Sequence, residues 1–415
     1  MAEWVEKSLG EVTSYIAKGI PPQYTDKYSE NVIYVLNQKC NRDYSVSYEQ
    51  ARLHDLSKKK IAEEKMLKSG DVLINSTGEG TAGRVAQLWN IPSQTTVDGH
   101  MIILRPTSEV DTLYYGYAIK AQQFMIESLA EGSTGQTEIN RKRLQEEITI
   151  SYPKDKKKQH SIAKILEEID KKIEINNQIN RNLSEQAQAV FKEWFVDNPE
   201  SAKWKQGTFS DLVISTLGGD WGKEEKEGNY TEQVYCVRGA DIPEVKEGNK
   251  GKMPTRFILP KNYAAKQLVA GDIVVEISGG SPTQSTGRVA SISQSLLDRY
   301  DKGMVCTNFC RAIKPKDGYS MFIYYYWQYL YERGIFFLYE NGTTGIKNLD
   351  IKGFLENEEI IIPPKDLVDK FDALCQTIFN EIFKNGISTE KLAETRDTLL
   401  PRLMSGKLDV SELEL

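Results

Sequence analysis

Cysteine and histidine are scarce in this sequence. Its 415 residues include five cysteines, an odd number, and only three histidines. An odd number of scattered cysteines is more typical of free thiols in a reducing compartment than of a secreted disulfide framework. The sequence also lacks the paired cysteine and histidine ligands that a zinc site requires. No apolar run approaches the roughly 20 residues that cross a bilayer, and the first residues do not form a signal peptide. We therefore expect a soluble, cytoplasmic protein without a bound metal.

A surplus of basic charge is absent as well, because the formal net charge is −6. The acidic excess lies mainly in the first 150 residues and the C-terminal region, so a basic face elsewhere would not show in the sum. The charge neither supports nor excludes a DNA partner. We find no nucleophile, acid–base pair or metal cluster arranged for catalysis. Gly78-Glu79-Gly80-Thr81-Ala82-Gly83 matches a dinucleotide-binding pattern, but the next residues predict a strand and not the required helix.

The sequence does contain an internal repeat. Gly132-Ser133-Thr134-Gly135 returns as Gly342-Thr343-Thr344-Gly345, a shift of 210 residues from 132 to 342. Gly83-Arg84-Val85-Ala86 returns as Gly287-Arg288-Val289-Ala290, a shift of 204 from 83 to 287. The shift between equivalent segments changes from 204 to 210 residues along the sequence, which indicates insertions between them. Surface loops tolerate insertions and carry binding specificity, so we predict two copies that share a scaffold and differ in their loops.

Each copy predicts an α+β globule. Short β-type runs are separated by glycine, proline, asparagine and serine, and one helical stretch interrupts them, at about Thr112–Ser128 and again at about Tyr319–Gly334. The aromatic run Tyr324–Tyr331 has helical spacing, which favours a core helix over a base-stacking platform. The copies end at Pro153 and Pro363. The predicted division has two globules and two helical regions: 1–153, 154–198, 199–363 and 364–415.

A heptad pattern follows the first copy. Its spacing predicts one helix from Lys156 to Phe195, near 60 Å long at about 1.5 Å per residue, which ends at Asp197-Asn198-Pro199. Asn176 and Asn180 would be costly in an apolar core but would fix register and partner choice. The residues predicted to pack on a partner helix are Ile162, Leu166, Ile169, Ile173, Asn176, Asn180 and Leu183.

A second apolar stripe follows the second copy. It includes Phe371, Leu374 and Ile378, and Asn385-Gly386 then predicts either a kink or a division into two helices. Neither long stripe has a partner within its own globule, so we expect the two to pack against each other. The economical arrangement is an antiparallel pair, a coiled-coil-like spacer that joins the globules.

With two repeated globules, each followed by a long helix, the chain resembles the specificity subunits of type I restriction-modification systems. The repeat, the helix exit Phe191–Asp197 and the closing segment Arg402–Val410 carry the resemblance, which covers essentially the whole sequence. It implies two target-recognition domains that read the two halves of one interrupted DNA sequence. It also implies that the helices dock two methylation subunits, which carry S-adenosylmethionine, and that restriction subunits use ATP and Mg²⁺. This chain would then be non-catalytic and hold no cofactor.

Base-edge contacts require polar side chains on exposed loops. We interpret the repeated Gly-Ser/Thr-Thr-Gly segments as structural joints, and look for DNA contacts in the glycine-rich loops instead. Two alternatives stay open from the sequence, a self-contained DNA methyltransferase or nuclease and a protein-binding scaffold. The candidate DNA-contacting residues are Thr77, Thr81 and Arg84 in the first copy and Ser281, Thr283, Gln284 and Arg288 in the second.

Overall fold

The computed structural model describes residues 3–132, 137–281, 283–342 and 346–408. They form two compact units, one with the residues up to Lys171 and from Ala393 onward, the other spanning Lys172–Leu392. Each unit therefore combines one globule with part of both long helical regions. The division into four consecutive segments stays a prediction. None of the helices formed by the described residues is both long and apolar enough to cross a membrane.

The first unit is a mixed α/β structure with two four-stranded sheets. One sheet has the order β2-β11-β8-β9 and is antiparallel throughout, and the other has the order β10-β4-β7-β3 with β10 and β4 parallel. Its strands are β1 (Trp4–Ser8), β2 (Thr13–Lys18), β3 (Tyr24–Thr25), β4 (Val32–Leu36), β5 (Asn41–Arg42), β6 (Ser45–Val46), β7 (Arg52–Asp55), β8 (Val72–Asn75), β9 (Val85–Gln87), β10 (Thr95–Val97), β11 (Met101–Pro106), β12 (Ala130–Glu131), β13 (Glu138–Ile139) and β14 (Thr149–Pro153). Its helices are α1 (Thr112–Ala121), α2 (Gln123–Ser128), α3 (Arg141–Glu147) and the first part of α4 (Lys156–Phe191).

The second unit repeats this plan. The antiparallel sheet has the order β16-β23-β19-β21, and a three-stranded sheet, β18-β17-β22, again contains one parallel pair, β17 with β22. Its strands are β15 (Lys205–Thr208), β16 (Val213–Gly218), β17 (Glu232–Val237), β18 (Thr255–Ile258), β19 (Ile273–Glu276), β20 (Ser278–Gly279), β21 (Val289–Ser291), β22 (Met304–Cys306), β23 (Cys310–Pro315), β24 (Glu340–Asn341), β25 (Lys347–Leu349) and β26 (Glu359–Ile362). Its helices are α5 (Ile242–Lys246), α6 (Pro260–Lys266), α7 (Gln294–Leu297), α8 (Ser320–Glu332), α9 (Ile351–Asn357) and most of α10 (Lys365–Met404).

Equivalent backbone hydrogen bonds and strand pairings in the two copies confirm the repeat. The Gly83 amide donates to the Asn75 carbonyl at 2.9 Å, and the Gly287 amide donates to the Glu276 carbonyl at 2.8 Å. Outer strands close each globule in the same way, because β1 pairs with β14 and β15 pairs with β26, both antiparallel. The first strand of each copy is thus hydrogen-bonded to the last, which brings the start of the long helix back to the globule that precedes it.

The central strands β8 and β19 are buried along their whole length. Helix α8 packs the aromatic run into the core, since Tyr324, Tyr325 and Trp327 are buried. The core interpretation of that run is therefore confirmed.

Helix α4 begins and ends where the sequence predicts. The Asp155 carboxylate accepts a hydrogen bond from the Lys157 amide at 2.9 Å and so caps the first turn. After Phe191 the chain makes a π-helical turn, Lys192–Val196, and Asp197 follows at its end. The polar and proline residues after that turn stop the helix because they favour turns and caps over helix interiors.

Helix α10 is one uninterrupted helix of 40 residues, so of the two alternatives predicted at Gly386, a kink or a division into two helices, the division is wrong. Gly386 instead permits a close backbone approach. A Cβ built on Gly386 would lie 2.0 Å from the carbonyl oxygen of Gly248, in the loop that follows α5. The sequence shows the glycine but not the neighbour that requires it.

Parts of α4 and α10 pack against each other within each unit. In the first unit, Asp170 accepts a hydrogen bond from Arg396 at 2.7 Å, and Leu166 lies in the same core as Leu400. In the second, the rings of Phe191 and Phe371 lie 5.9 Å apart. Within each unit, later residues of one helix meet earlier residues of the other, so the helices are antiparallel there, as expected.

The described side chains of α10 correct one predicted packing residue. Leu374 is 37% exposed, whereas Phe371 and Cys375 are buried and Ile378 is partly buried against the core. The buried stripe of α10 runs through positions 371, 375 and 379, which recur every four residues on one face of the helix, and Leu374 therefore lies beside the stripe and not within it. On α4, Ile162 and Leu166 are buried, and Ile169, Ile173 and Leu183 are half-buried.

Candidate nucleic-acid interface

Three chain segments meet at one end of the antiparallel sheet in the first unit. The Ser76 amide donates to the His100 carbonyl at 2.8 Å, and the Ile139 amide donates to the Ser76 carbonyl at 2.8 Å. Residues 76–84, 98–100 and 137–139 form what we call the first loop edge. All three segments leave or enter strands of buried sheets, so their backbone is held by the core although their side chains reach the surface.

The second unit has the same arrangement. The Ile277 amide donates to the Phe309 carbonyl at 2.9 Å, and the Leu349 amide donates to the Ile277 carbonyl at 2.8 Å. Residues 277–281, 283–288, 307–309 and 346–349 form the second loop edge. The two edges share their backbone bonds and differ in their side chains, which is the pattern expected of two related binding surfaces with different targets.

The segments Gly132-Ser133-Thr134-Gly135 and Gly342-Thr343-Thr344-Gly345 lie outside the described residues except for their first glycines. Those two glycines both have positive φ, 146° for Gly132 and 130° for Gly342. A residue with a side chain would be strained at either position. Our interpretation of the segments as joints remains a prediction.

Thr77 belongs to a chain of hydrogen bonds at the first loop edge. Its hydroxyl contacts the side-chain amide of Gln38, which follows β4, and lies 2.9 Å from Nδ1 of His100. His100 is exposed and Thr77 is half-buried. Three residues that are distant in sequence thus form one polar group, of which only Thr77 was predicted.

Thr81 and Arg84 fix the shape of the glycine-rich turn. The Thr81 hydroxyl donates to the Thr77 carbonyl at 3.5 Å, and an Arg84 guanidinium nitrogen donates to the Gly80 carbonyl at 3.1 Å. Gly78 has φ 109°, and a Cβ there would lie 2.3 Å from the Thr81 hydroxyl oxygen. The glycine is therefore required by the turn and not by a cofactor.

Ser281, Thr283 and Gln284 form a compact turn at the second loop edge. The Ser281 hydroxyl accepts hydrogen bonds from the amides of Thr283 at 3.3 Å and Gln284 at 3.0 Å. Lys347 stabilises the turn, because its Nζ donates to the Ser281 carbonyl at 3.3 Å and to the Glu340 carboxylate at 2.7 Å. The Thr283 and Gln284 side chains are exposed on this braced turn, so both are available to a ligand.

Arg288 is already engaged, which revises its role among the candidates. Its Nε and Nη2 donate to the two carboxylate oxygens of Glu276 at 2.7 and 2.6 Å. This bidentate pair raises the pKa of Arg288, because the carboxylate stabilises the charged guanidinium. Glu276 is buried and needs this cation, whereas the first unit has the neutral Asn75 at the same place in the sheet. Contact with a base would have to break the pair, so we assign Arg288 a structural role.

A polar cavity of about 450 Å³ adjoins the first loop edge. Gln38 and His100 line it together with Lys39, Arg52 and Asp98. Arg52 lies over the ring of Tyr24, 3.4 Å from its centroid, and burial raises the pKa of Asp98. The lining also includes Glu49, so the cavity brings two cations and two carboxyl groups beside the exposed imidazole of His100.

The predicted asparagines of α4 meet α10 in the second unit. The Asn180 side chain donates to the carbonyls of Glu247 and Ile382, both at 2.9 Å, and accepts from Asn385 at 2.9 Å. Asn176 donates to the Thr389 hydroxyl at 3.3 Å. The same shift of 209 residues relates 176 to 385 and 180 to 389, so the repeat extends into these contacts.

The family model described as "Type I restriction modification DNA specificity domain" matches residues 1–185 and 203–394. The chain belongs to this family. Each match covers one globule and much of the long helix that follows it, so we call the two matched stretches the first and second specificity domains.

Relatives match over nearly the full chain. The type I restriction enzyme MjaIX specificity subunit of Methanocaldococcus jannaschii is 25% identical, with 99% of this chain and 95% of that protein covered. The type I restriction enzyme HindI specificity subunit of Haemophilus influenzae is 22% identical, with 98% and 100% covered. The crystal structure of a type I restriction-modification S subunit from M. genitalium aligns with a TM-score of 0.53 and 16% identity, covering 99% of this chain and 97% of that one. At that identity the structural likeness supports the fold alone.

Sequence reasoning missed Gln38 and His100 in the first specificity domain and Phe309 in the second. Gln38 follows a strand of the other sheet, so no local pattern connects it to Thr77. His100 and Phe309 each stand directly before a central strand, β11 or β23, with a shift of 209 from 100 to 309. Alignment of the two copies at these strands would have paired them.

Proposed function

We propose that this chain is the DNA-recognition subunit of a type I restriction-modification complex. Each specificity domain would read one block of an interrupted, bipartite DNA target through its loop edge, and the chain itself would not catalyse a reaction. The observation that carries the proposal is the family match to both halves of the chain, on two domains with matched backbones and different loop side chains.

We further propose that the paired parts of α4 and α10 set the gap between the two blocks and dock two methylation subunits. Restriction subunits would join the same complex. Ile175 and Ile179 support a docking role, because they are exposed one turn apart on α4. Exposed isoleucines beside a buried polar seam are typical of a helix that has a further partner.

The proposed base-contacting residues are Thr77, Thr81 and Arg84 in the first domain and Ser281, Thr283 and Gln284 in the second. Hydroxyl, amide and guanidinium groups supply the donors and acceptors that read base edges in the major groove. The turns that hold these residues are braced by internal hydrogen bonds, so binding would cost little loop ordering.

A domain exchange tests the proposal. Residues 1–153 are replaced by the equivalent residues of a relative that directs modification to another sequence, and the partner subunits are co-expressed. Mapping of modified adenines across the genome should show one altered block and one unaltered block. The reciprocal exchange of 199–363 should alter the other block alone.

Changes in both blocks after either exchange would contradict modular recognition. Methylation of DNA by the purified chain with S-adenosylmethionine alone would favour the alternative of a self-contained methyltransferase. Absence of any sequence-selective DNA modification or binding by the assembled complex would favour a protein-binding scaffold.

A further inference from the structure

His100 and Phe309 occupy one structural position in the two specificity domains. The turn before His100 is tied down by the Asp98 amide, which donates to the Leu36 carbonyl at 2.9 Å. The turn before Phe309 is tied down by the Thr307 amide, which donates to the Val237 carbonyl at 3.0 Å. Both residues also accept a bond at their own carbonyl from the loop edge, so their backbones are fixed while their side chains are exposed.

Hydrogen bonds hold one edge of the His100 ring. The Gln38 amide nitrogen can only donate, so the Thr77 hydroxyl oxygen accepts from it. The Thr77 hydroxyl also lies 2.9 Å from Nδ1 of His100 and engages that nitrogen in either tautomer, as donor or as acceptor. No residue in the described part of the chain bonds Nε2, so this second ring nitrogen is left to hydrogen-bond a ligand at the first loop edge.

Phe309 offers the opposite chemistry. The residue is 61% exposed, in the turn before β23. The phenyl ring has no hydrogen-bond donor, so it can offer a ligand only apolar contact. An exposed phenylalanine on a rigid turn gains free energy only when a ligand covers it. Apolar contact with the methyl group of thymine is one of the ways in which proteins read a base in the major groove.

Charge beside His100 fits the same ligand. Lys39 and Arg52 line the cavity that His100 also lines, and both are exposed. Of the two acidic residues in the same lining, Glu49 is exposed and Asp98 is buried. Cations that share a cavity with a base-reading residue suit the phosphates of a DNA strand, because phosphate contacts position a protein while base contacts specify the sequence.

We propose that His100 and Phe309 are specificity-determining residues, one for each block of the DNA target. His100 makes a hydrogen bond through Nε2 to a base edge in the first block, and Phe309 makes apolar contact with a base in the second, a thymine methyl being the best fit. The inference rests on the proposed function, which assigns one block to each domain.

The test uses the complex of the full chain with its methylation subunits, and a duplex with the sequence found by mapping of modified adenines. The variants are His100→Ala and Phe309→Ala, each with a matched control. His160→Ala removes another histidine with an exposed side chain, and Phe124→Ala removes a phenylalanine that is 81% exposed, both outside the loop edges. Circular dichroism and thermal unfolding establish that each variant is folded.

We expect His100→Ala to weaken binding to the specific duplex roughly ten-fold and to abolish discrimination at one position of the first block, with the second block read as before. Phe309→Ala should give the mirror result in the second block. Gln38→Leu removes the amide that holds the Thr77 hydroxyl beside His100, and Gln38 is not among the proposed base-contacting residues, so this variant should weaken discrimination at the same position as His100→Ala. The two control variants should bind like the parent complex.

Two results would overturn the inference while leaving the proposed function intact. One is full discrimination at every position in both variants. The other is a uniform loss of affinity for all sequences, which indicates a phosphate contact or a structural role. If the parent complex itself shows no sequence preference, the proposed function fails first, and this result is distinguishable because it does not depend on any variant.

Discussion

Replacement of Asn180 by alanine should destabilise the second unit. The Asn180 amide is buried between α4 and α10, with 2% of the residue exposed. It makes three hydrogen bonds of 2.9 Å, to Glu247, Ile382 and Asn385. Water cannot replace the lost partners at this depth, so the substitution leaves buried polar groups unsatisfied.

Each of these neutral hydrogen bonds contributes about 0.5–1.5 kcal/mol net, so the three together give about 3 kcal/mol. The higher helix propensity of alanine offsets only about 0.5 kcal/mol of this loss. Asn180→Leu should also destabilise the unit, although leucine would strengthen an ordinary apolar heptad position. The comparison separates loss of hydrogen bonds from loss of volume.

Urea unfolding of the full chain, followed by far-ultraviolet circular dichroism, measures the effect, and hydrogen exchange of the amides in 172–190 locates it. The matched control is Gln178→Ala, an exposed site on the same helix, with an expected change within about 0.5 kcal/mol. A double-mutant cycle with Asn385→Ala should give a coupling free energy of about 1 kcal/mol. An Asn180→Leu variant more stable than the parent would refute the reasoning.

Two further predictions concern Gly386, where a neighbouring backbone opposes alanine, and Lys120, where burial makes the stability depend on pH. Gly386→Ala should lower the free energy of urea unfolding by roughly 1–3 kcal/mol although alanine favours helices, because its Cβ would lie 2.0 Å from the Gly248 carbonyl oxygen. Gly218→Ala is the control, since a Cβ there meets nothing within 4 Å, and equal behaviour of both variants would exclude the close approach. Burial lowers the pKa of Lys120 to about 8 from its ordinary 10.5, so between those pH values the unfolded chain binds more protons and stability should rise with pH, by up to about 3 kcal/mol. Lys120→Met should abolish that rise in thermal or urea unfolding, the exposed Lys142→Met should keep it, and a parent protein whose stability falls across this window relative to Lys120→Met would contradict the assignment.

Features that depend on residues close in sequence could be predicted from the sequence. The heptad spacing gave the extent of α4, and Asp197-Asn198-Pro199 marked its end, because helix periodicity and capping act over a few residues. The repeat predicted two α+β globules, since a duplicated pattern of strands and turns folds twice into the same scaffold. The asparagines of α4 also stood out, because a polar residue in an apolar stripe calls for a specific partner.

Features that depend on distant neighbours were decided by the tertiary structure. Gly386 resembles a helix break until Gly248 packs against it, and Arg288 resembles a free loop arginine until Glu276 on the adjacent strand binds it. His100 carries no local signal at all, because its hydrogen-bonded partners come from two other segments. The sequence by itself determined the repeat, the α+β character of both copies and the long helices, whereas only the folded chain decided which side chains face a ligand. The physical reason is that periodicity and turn chemistry are local, while burial, ion pairing and close backbone approach require contacts between residues far apart in sequence.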